Sequence, residues 1–160
     1  MNLFYLDRDP VTAAAYHYDK HKVKMVLEAA QMLCTAHHVY DNGHNVPYKK
    51  AHLNHPSTIW VRGNRNQYLW AYQYMMALGN EYTKRYGKEH KTIAKCRYAL
   101  SNPPPGISDG EFTQPPQCMP DEYKVEGDSI AAYWNYYEGD KYKIANKNEQ
   151  KIVRPFTEKI

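Results

Sequence analysis

The sequence predicts an all-α protein, folded as a compact single domain with two long helices, a Pro-rich loop and a short C-terminal helix. Three observations predict it. Helical spacing of apolar residues recurs in long segments, with start signals such as Asp9-Pro10 and His55-Pro56 ahead of them. No segment alternates apolar and polar residues with the period of two that a half-buried strand requires. The 160 residues suit one domain, and 42% apolar with 24% charged residues is enough to build a core.

Residues 1–9 read as an N-terminal arm, either strand-like or a coil packed on the body. Asp9 as N-cap with Pro10 in the first turn then opens a helix expected over about 10–38, because Pro lacks only an N–H that a first turn leaves unused. The turn formers Asp41-Asn42-Gly43-His44-Asn45 stop it. A second long helix is expected over about 56–86, interrupted around Gly63-Asn64 and ended by Gly87. A shorter helix should span about 89–100. Repeated prolines exclude regular structure from a loop spanning 101–123, and a loop of that length is usually functional or packed as an arm. The last helix covers about 127–138, and the Lys-rich tail, 140–160, is expected to fray.

Composition narrows the function. Lys plus Arg is 21 against 17 Asp plus Glu, a formal charge of +4, which permits a phosphate-bearing partner without demanding one. No apolar run is long enough to span a membrane and the N-terminus has no signal-peptide pattern, so a cytoplasmic protein with no membrane partner is expected. The three cysteines are widely spaced and form no C-x-x-C pair, which argues against a disulfide framework or a thiolate zinc site. Sixteen tyrosines suit bases, sugars, subunit interfaces of a homo-oligomer, or a wet core.

The first long helix carries the chemistry. At about 100° per residue, His17, His21, Lys24, Glu28, Gln31, Thr35 and His38 share one stripe, with Lys20 on its edge. A solvated face normally mixes Glu, Lys, Arg and Ser. This one has three imidazoles, two or three ammoniums and one carboxylate. Glu28 among proton carriers is a natural general acid/base. His17 and His21 have the spacing of a zinc-chelating pair, yet no H-E-x-x-H motif is present and the neighbouring lysines would repel a cation, so no metal is expected. A second cluster, His55 at a helix start followed by Arg62 and Arg65, would favour phosphate through free N–H donors and guanidinium groups.

Together the steps Asp19-Lys20-His21…Lys24…Glu28…Gln31, Asn54-His55-Pro56…Trp60, Glu81…Arg85…Gly87 and Trp134-Asn135-Tyr136-Tyr137 resemble small bacterial and phage proteins of the pyrimidine-dimer DNA glycosylase (endonuclease V) type. The resemblance covers roughly residues 10–90 and, more loosely, 118–138. It implies an all-helical, cofactor-free enzyme of the bacterial or phage-infected cytoplasm. Such an enzyme removes a damaged pyrimidine and nicks the strand. An α-amine forms a Schiff base at C1′, and Glu28 takes the acid/base role. His21 and Lys24 would hold phosphate or tune Glu28, and aromatic rings, Trp134 among them, would meet the bases. The family's nucleophile belongs to a small second residue. Asn2 stands there in this chain and predicts a retained Met1, whose amine then competes with those of Lys20 and Lys24 for the role. A different reading of the same His, Lys and Arg residues is an anti-defence protein that binds or cleaves a host signalling nucleotide. A third is a helical DNA-binding or assembly protein without chemistry.

Overall fold

The structure, a computed structural model, describes residues 1–155. Six α-helices carry the fold: α1 (Pro10–Ala15), α2 (Asp19–Asp41), α3 (Pro56–Val61), α4 (Arg65–Tyr86), α5 (Lys91–Cys96) and α6 (Ser129–Gly139). Single 3-10 turns occupy Asp121–Tyr123 and Lys141–Ile144, and no strand is present among the described residues. No helix among them is long and apolar enough to cross a membrane.

Side-chain caps build the helix starts, the expected Asp9 among them. Asp9 accepts the N–H of Thr12, Asn64 that of Gln67 and Asp128 that of Ala131, each satisfying a donor that a first turn leaves free. His55 and His90 cap α3 and α5 in the same way, through Nδ1, at 3.1 Å each. Gly87 closes α4 in the left-handed region (φ 74°), donating to Thr83 O. α5 is shorter than the span expected for it.

The helix expected over about 10–38 is two helices. The chain leaves helical geometry at Tyr16–Tyr18, where Tyr18 is extended (φ −64°, ψ 153°). Two distant partners hold the break open. The Tyr18 N–H donates to the Tyr137 hydroxyl of α6, and the Asp19 N–H donates to Glu149. In a continuous helix both N–H groups would bond carbonyls four residues back. The interruption between α3 and α4 falls at Arg62–Asn64, as the sequence suggested. Gln67 stitches it: its Nε2 donates to Trp60 O at 2.6 Å while its Oε1 accepts from Thr113.

α2 packs chiefly on α4, and the N-terminal arm threads the core beside them. Leu3, Phe4, Tyr5 and Leu6 are at most 3% exposed, so this arm is interior and not a surface appendage. Its carbonyls are claimed by indoles: Trp70 Nε1 donates to Arg8 O and Trp134 Nε1 to Leu6 O. The Pro-rich segment forms no regular element and lies across α3, α4 and α6 as a strap. Trp60 Nε1 donates to Thr113 O, Asn64 Nδ2 to Glu111 O and Ser129 Oγ to Pro115 O.

Six of the sixteen tyrosines are buried in the core. Tyr18, Tyr68, Tyr74, Tyr133 and Tyr137 are fully buried, and each hydroxyl has a partner, as a buried polar group requires. Three of those partners are histidines: His37 for Tyr68, His17 for Tyr74 and His21 for Tyr137. The tail expected to fray is docked as far as it is described. Ile152 N–H donates to Tyr18 Oη, Glu149 caps Asn146 and Asp19, and Arg154 pairs with Glu138 at 2.8 Å. The expectation for residues 156–160 lies outside the described residues.

Candidate functional site

One cavity gathers the chemistry. Its volume is about 170 Å³, and Met1, Asn2, Phe4, His21, Lys24, Met25, Glu28 and Lys141 line it. Four parts of the chain meet there: the N-terminal arm, two successive turns of α2, and the turn that follows α6. The Met1 α-amine lies 3.1 Å from Glu28 Oε1, and the Met1 side chain is packed away at 1% exposure. Lys24 Nζ approaches the other carboxylate oxygen at 3.8 Å from a largely exposed position one turn earlier.

Asn2 fixes the register that brings the amine to Glu28. Its side-chain carbonyl accepts from Tyr133 Oη at 2.7 Å and from Leu3 N at 2.9 Å, and its amide donates to Cys118 O at 2.9 Å. With residue 2 clamped on both sides, residue 1 has little freedom left.

His21 lines the cavity as a neutral ring. It stacks on Phe4, with centroids 4.3 Å apart, and its Nδ1 lies 2.7 Å from the Tyr137 hydroxyl. That hydroxyl oxygen also accepts the Tyr18 N–H, which fixes the ring against α6. Burial lowers the His21 pKa to about 2, helped by neighbouring His17, Lys141 and Lys24. The ring is therefore a neutral wall of the cavity, not a cation. His55, half-buried at the start of α3, is close enough to feel both the α-amine and Glu28. Its pKa is lowered, first by burial and then by the amine, with Glu28 opposing.

Other expected site residues lie elsewhere. His17 belongs to the core: Nδ1 donates to Ala13 O at 2.7 Å and Nε2 accepts from Tyr74, so no nitrogen remains for a phosphate. The helix break at Tyr16–Tyr18 removed it from the stripe. Trp134 is 3% exposed, with its N–H on Leu6 O, and supports the arm instead of meeting a base. Arg65 pairs with Asp109 at 3.4 Å, away from the cavity. Arg62 ends α3 and does not line the cavity either; its Nη1 is buried without a hydrogen-bond partner. Gln31 is half-buried one turn beyond Glu28, and Lys20 is exposed one turn before Lys24, both outside the lining. Thr35 and His38 bond Ala51 O and Tyr48 O, so a loop covers the far end of the stripe. Asp19 and Arg85, two positions of the resemblance, bind each other at 3.1 Å outside the cavity.

Lys141 is the site residue the sequence concealed. It stands more than a hundred residues from Glu28, in a Lys-rich stretch that looked like tail. The arm residues Asn2 and Phe4 were hidden by the same sequence distance.

Among the described residues no group of three His, Cys, Asp or Glu side chains is gathered to hold a metal ion. Comparison with family models, with curated proteins and with solved structures finds no match to this chain.

The most deeply buried histidines, His17 and His21, make stability pH-dependent. Burial depresses the folded-state pKa of His17 to about 3 and of His21 to about 2, while an unfolded chain takes up these protons near 6.5. Stability is thus fully present above about pH 6.5 and declines as pH falls toward the folded values. Each ring contributes about 1.4 kcal/mol per pH unit in that window. Urea unfolding at pH 7 and pH 5 should differ by roughly 4 kcal/mol from these two rings. His17→Gln should remove about half of that difference.

Proposed function

We propose that this protein is a DNA glycosylase with AP-lyase activity, in which the Met1 α-amine is the nucleophile and Glu28 the acid/base. The observation that carries the reading is the 3.1 Å pairing of the α-amine with Glu28, the one carboxylate lining a cavity that also holds Lys24 and Lys141. An α-amine is a workable nucleophile near neutral pH once a neighbour takes its extra proton, and Glu28 is positioned to take it.

The steps follow from those two groups. The free amine attacks C1′ of the damaged nucleotide, a C1′–N bond to the protein forms, and the bond to the base breaks as the base leaves with a proton. Opening of the sugar ring gives an imine. Glu28 then accepts a C2′ proton, the electron pair expels the 3′ phosphate, and water hydrolyses the unsaturated imine to free the amine. Lys24 and Lys141 offset the phosphate charge while this happens.

Borohydride reduction should trap the imine on DNA carrying an abasic site or a pyrimidine dimer, as a covalent protein–DNA adduct mapping to the N-terminal peptide. Absence of an adduct where a control lyase traps would overturn the reading. The signalling-nucleotide reading is less well supported, because it needs His17 and Arg65 among the phosphate ligands, and the core and Asp109 occupy them.

A further inference from the structure

We infer that the cavity recognises one pentose phosphate unit, with Lys141 as the anchor of its phosphate. The inference rests on the proposed amine chemistry and adds to it the size of the minimal substrate and a residue that selects it.

Size comes first. At about 170 Å³ the cavity is smaller than the roughly 300 Å³ at which pockets for drug-sized ligands start, which matches a sugar at the amine better than a whole nucleotide.

Charge points to the phosphate. The Met1 amine and Lys24 pair with Glu28, the one carboxylate lining the cavity, and Lys141 lines the same cavity, so cations outnumber carboxylates in the lining by two, since His21 is neutral. The two lysines differ. Lys24 is 72% exposed and leans on Glu28. Lys141 is 23% exposed and held in place: its Nζ lies 4.8 Å from the Tyr136 ring centroid and 6.0 Å from that of Phe4. Its acidic neighbour, Asp140, stands at 3.9 Å and is also engaged by Lys143 at 3.2 Å. A cation fixed by ring faces, with one distant and shared carboxylate, keeps its hydrogen-bond donors for an incoming anion. The 3-10 turn Lys141–Ile144 delivers it to the cavity wall formed by Phe4.

A free sugar phosphate tests this directly. 2-Deoxyribose 5-phosphate presents an aldehyde at C1: the Met1 amine forms an imine with it and releases water, and cyanoborohydride reduces that imine to a stable secondary amine. Intact mass and peptide mapping read the label on residue 1. The wild-type protein should label at about ten- to hundredfold lower concentration with the phosphate than with 2-deoxyribose, the scale of one charge-assisted contact. Lys141→Gln should bring the two sugars level, and Lys141→Arg should restore the preference. Equal labelling by both sugars in wild type, or a preference unchanged in Lys141→Gln, overturns the inference. So does labelling by abasic DNA with none by the free sugar phosphate. Failure of abasic DNA as well would remove the proposed function itself.

Discussion

Blocking the Met1 amine by acetylation should reduce imine trapping to the level of buffer alone. The cavity favours no second route to the same chemistry: the amine sits 3.1 Å from Glu28, whereas Lys24 reaches that carboxylate from a largely exposed position and Lys141 is held against Tyr136. A blocked amine keeps no lone pair for attack at C1′, so the covalent step is lost instead of slowed. The fold should survive, because the arm is anchored from residue 2 onward by Asn2 and by the burial of Leu3–Leu6. Unchanged thermal unfolding with no adduct is the expected pair of results. Undiminished trapping would assign the nucleophile to Lys20, Lys24 or Lys141, and peptide mapping of the adduct would say which.

Glu28→Gln should lower turnover by about 10²-fold or more, the usual scale of a lost general acid/base. The amide can still hydrogen-bond the amine, but it cannot take the ammonium proton or the proton at C2′. Substrate binding should persist or tighten, since the change removes the one negative charge lining the cavity. Turnover and affinity therefore move independently, and gel-shift affinity measured beside single-turnover cleavage separates them. A loss of binding with Glu28→Gln would make the carboxylate an anchor for the N-terminus and not a catalyst. Unchanged activity would favour a DNA-binding role without chemistry.

Sequence alone determined what local rules govern. Asp9, Asn64 and Asp128 cap the helices they precede, Gly87 ends α4, and the prolines keep 101–120 irregular, because each effect acts within a few residues. Glu28, Lys24 and His21 were legible for a related reason: helical periodicity puts them on one face wherever α2 packs. The rest depended on groups far apart in the chain. Tyr137 and Glu149 hold the N–H groups that split the first helix, and that split sends His17 inward to Tyr74. Periodicity could not register this, since it assumes an unbroken helix. Trp134 was misplaced because its indole N–H had to be satisfied on burial, and the nearest acceptor was the arm's Leu6 carbonyl. The decisive contact, Met1 with Glu28, is a matter of tertiary packing. The buried arm and the three hydrogen bonds of Asn2 carry the amine to the helix face, and no pattern in residues 1–9 says where that arm will end.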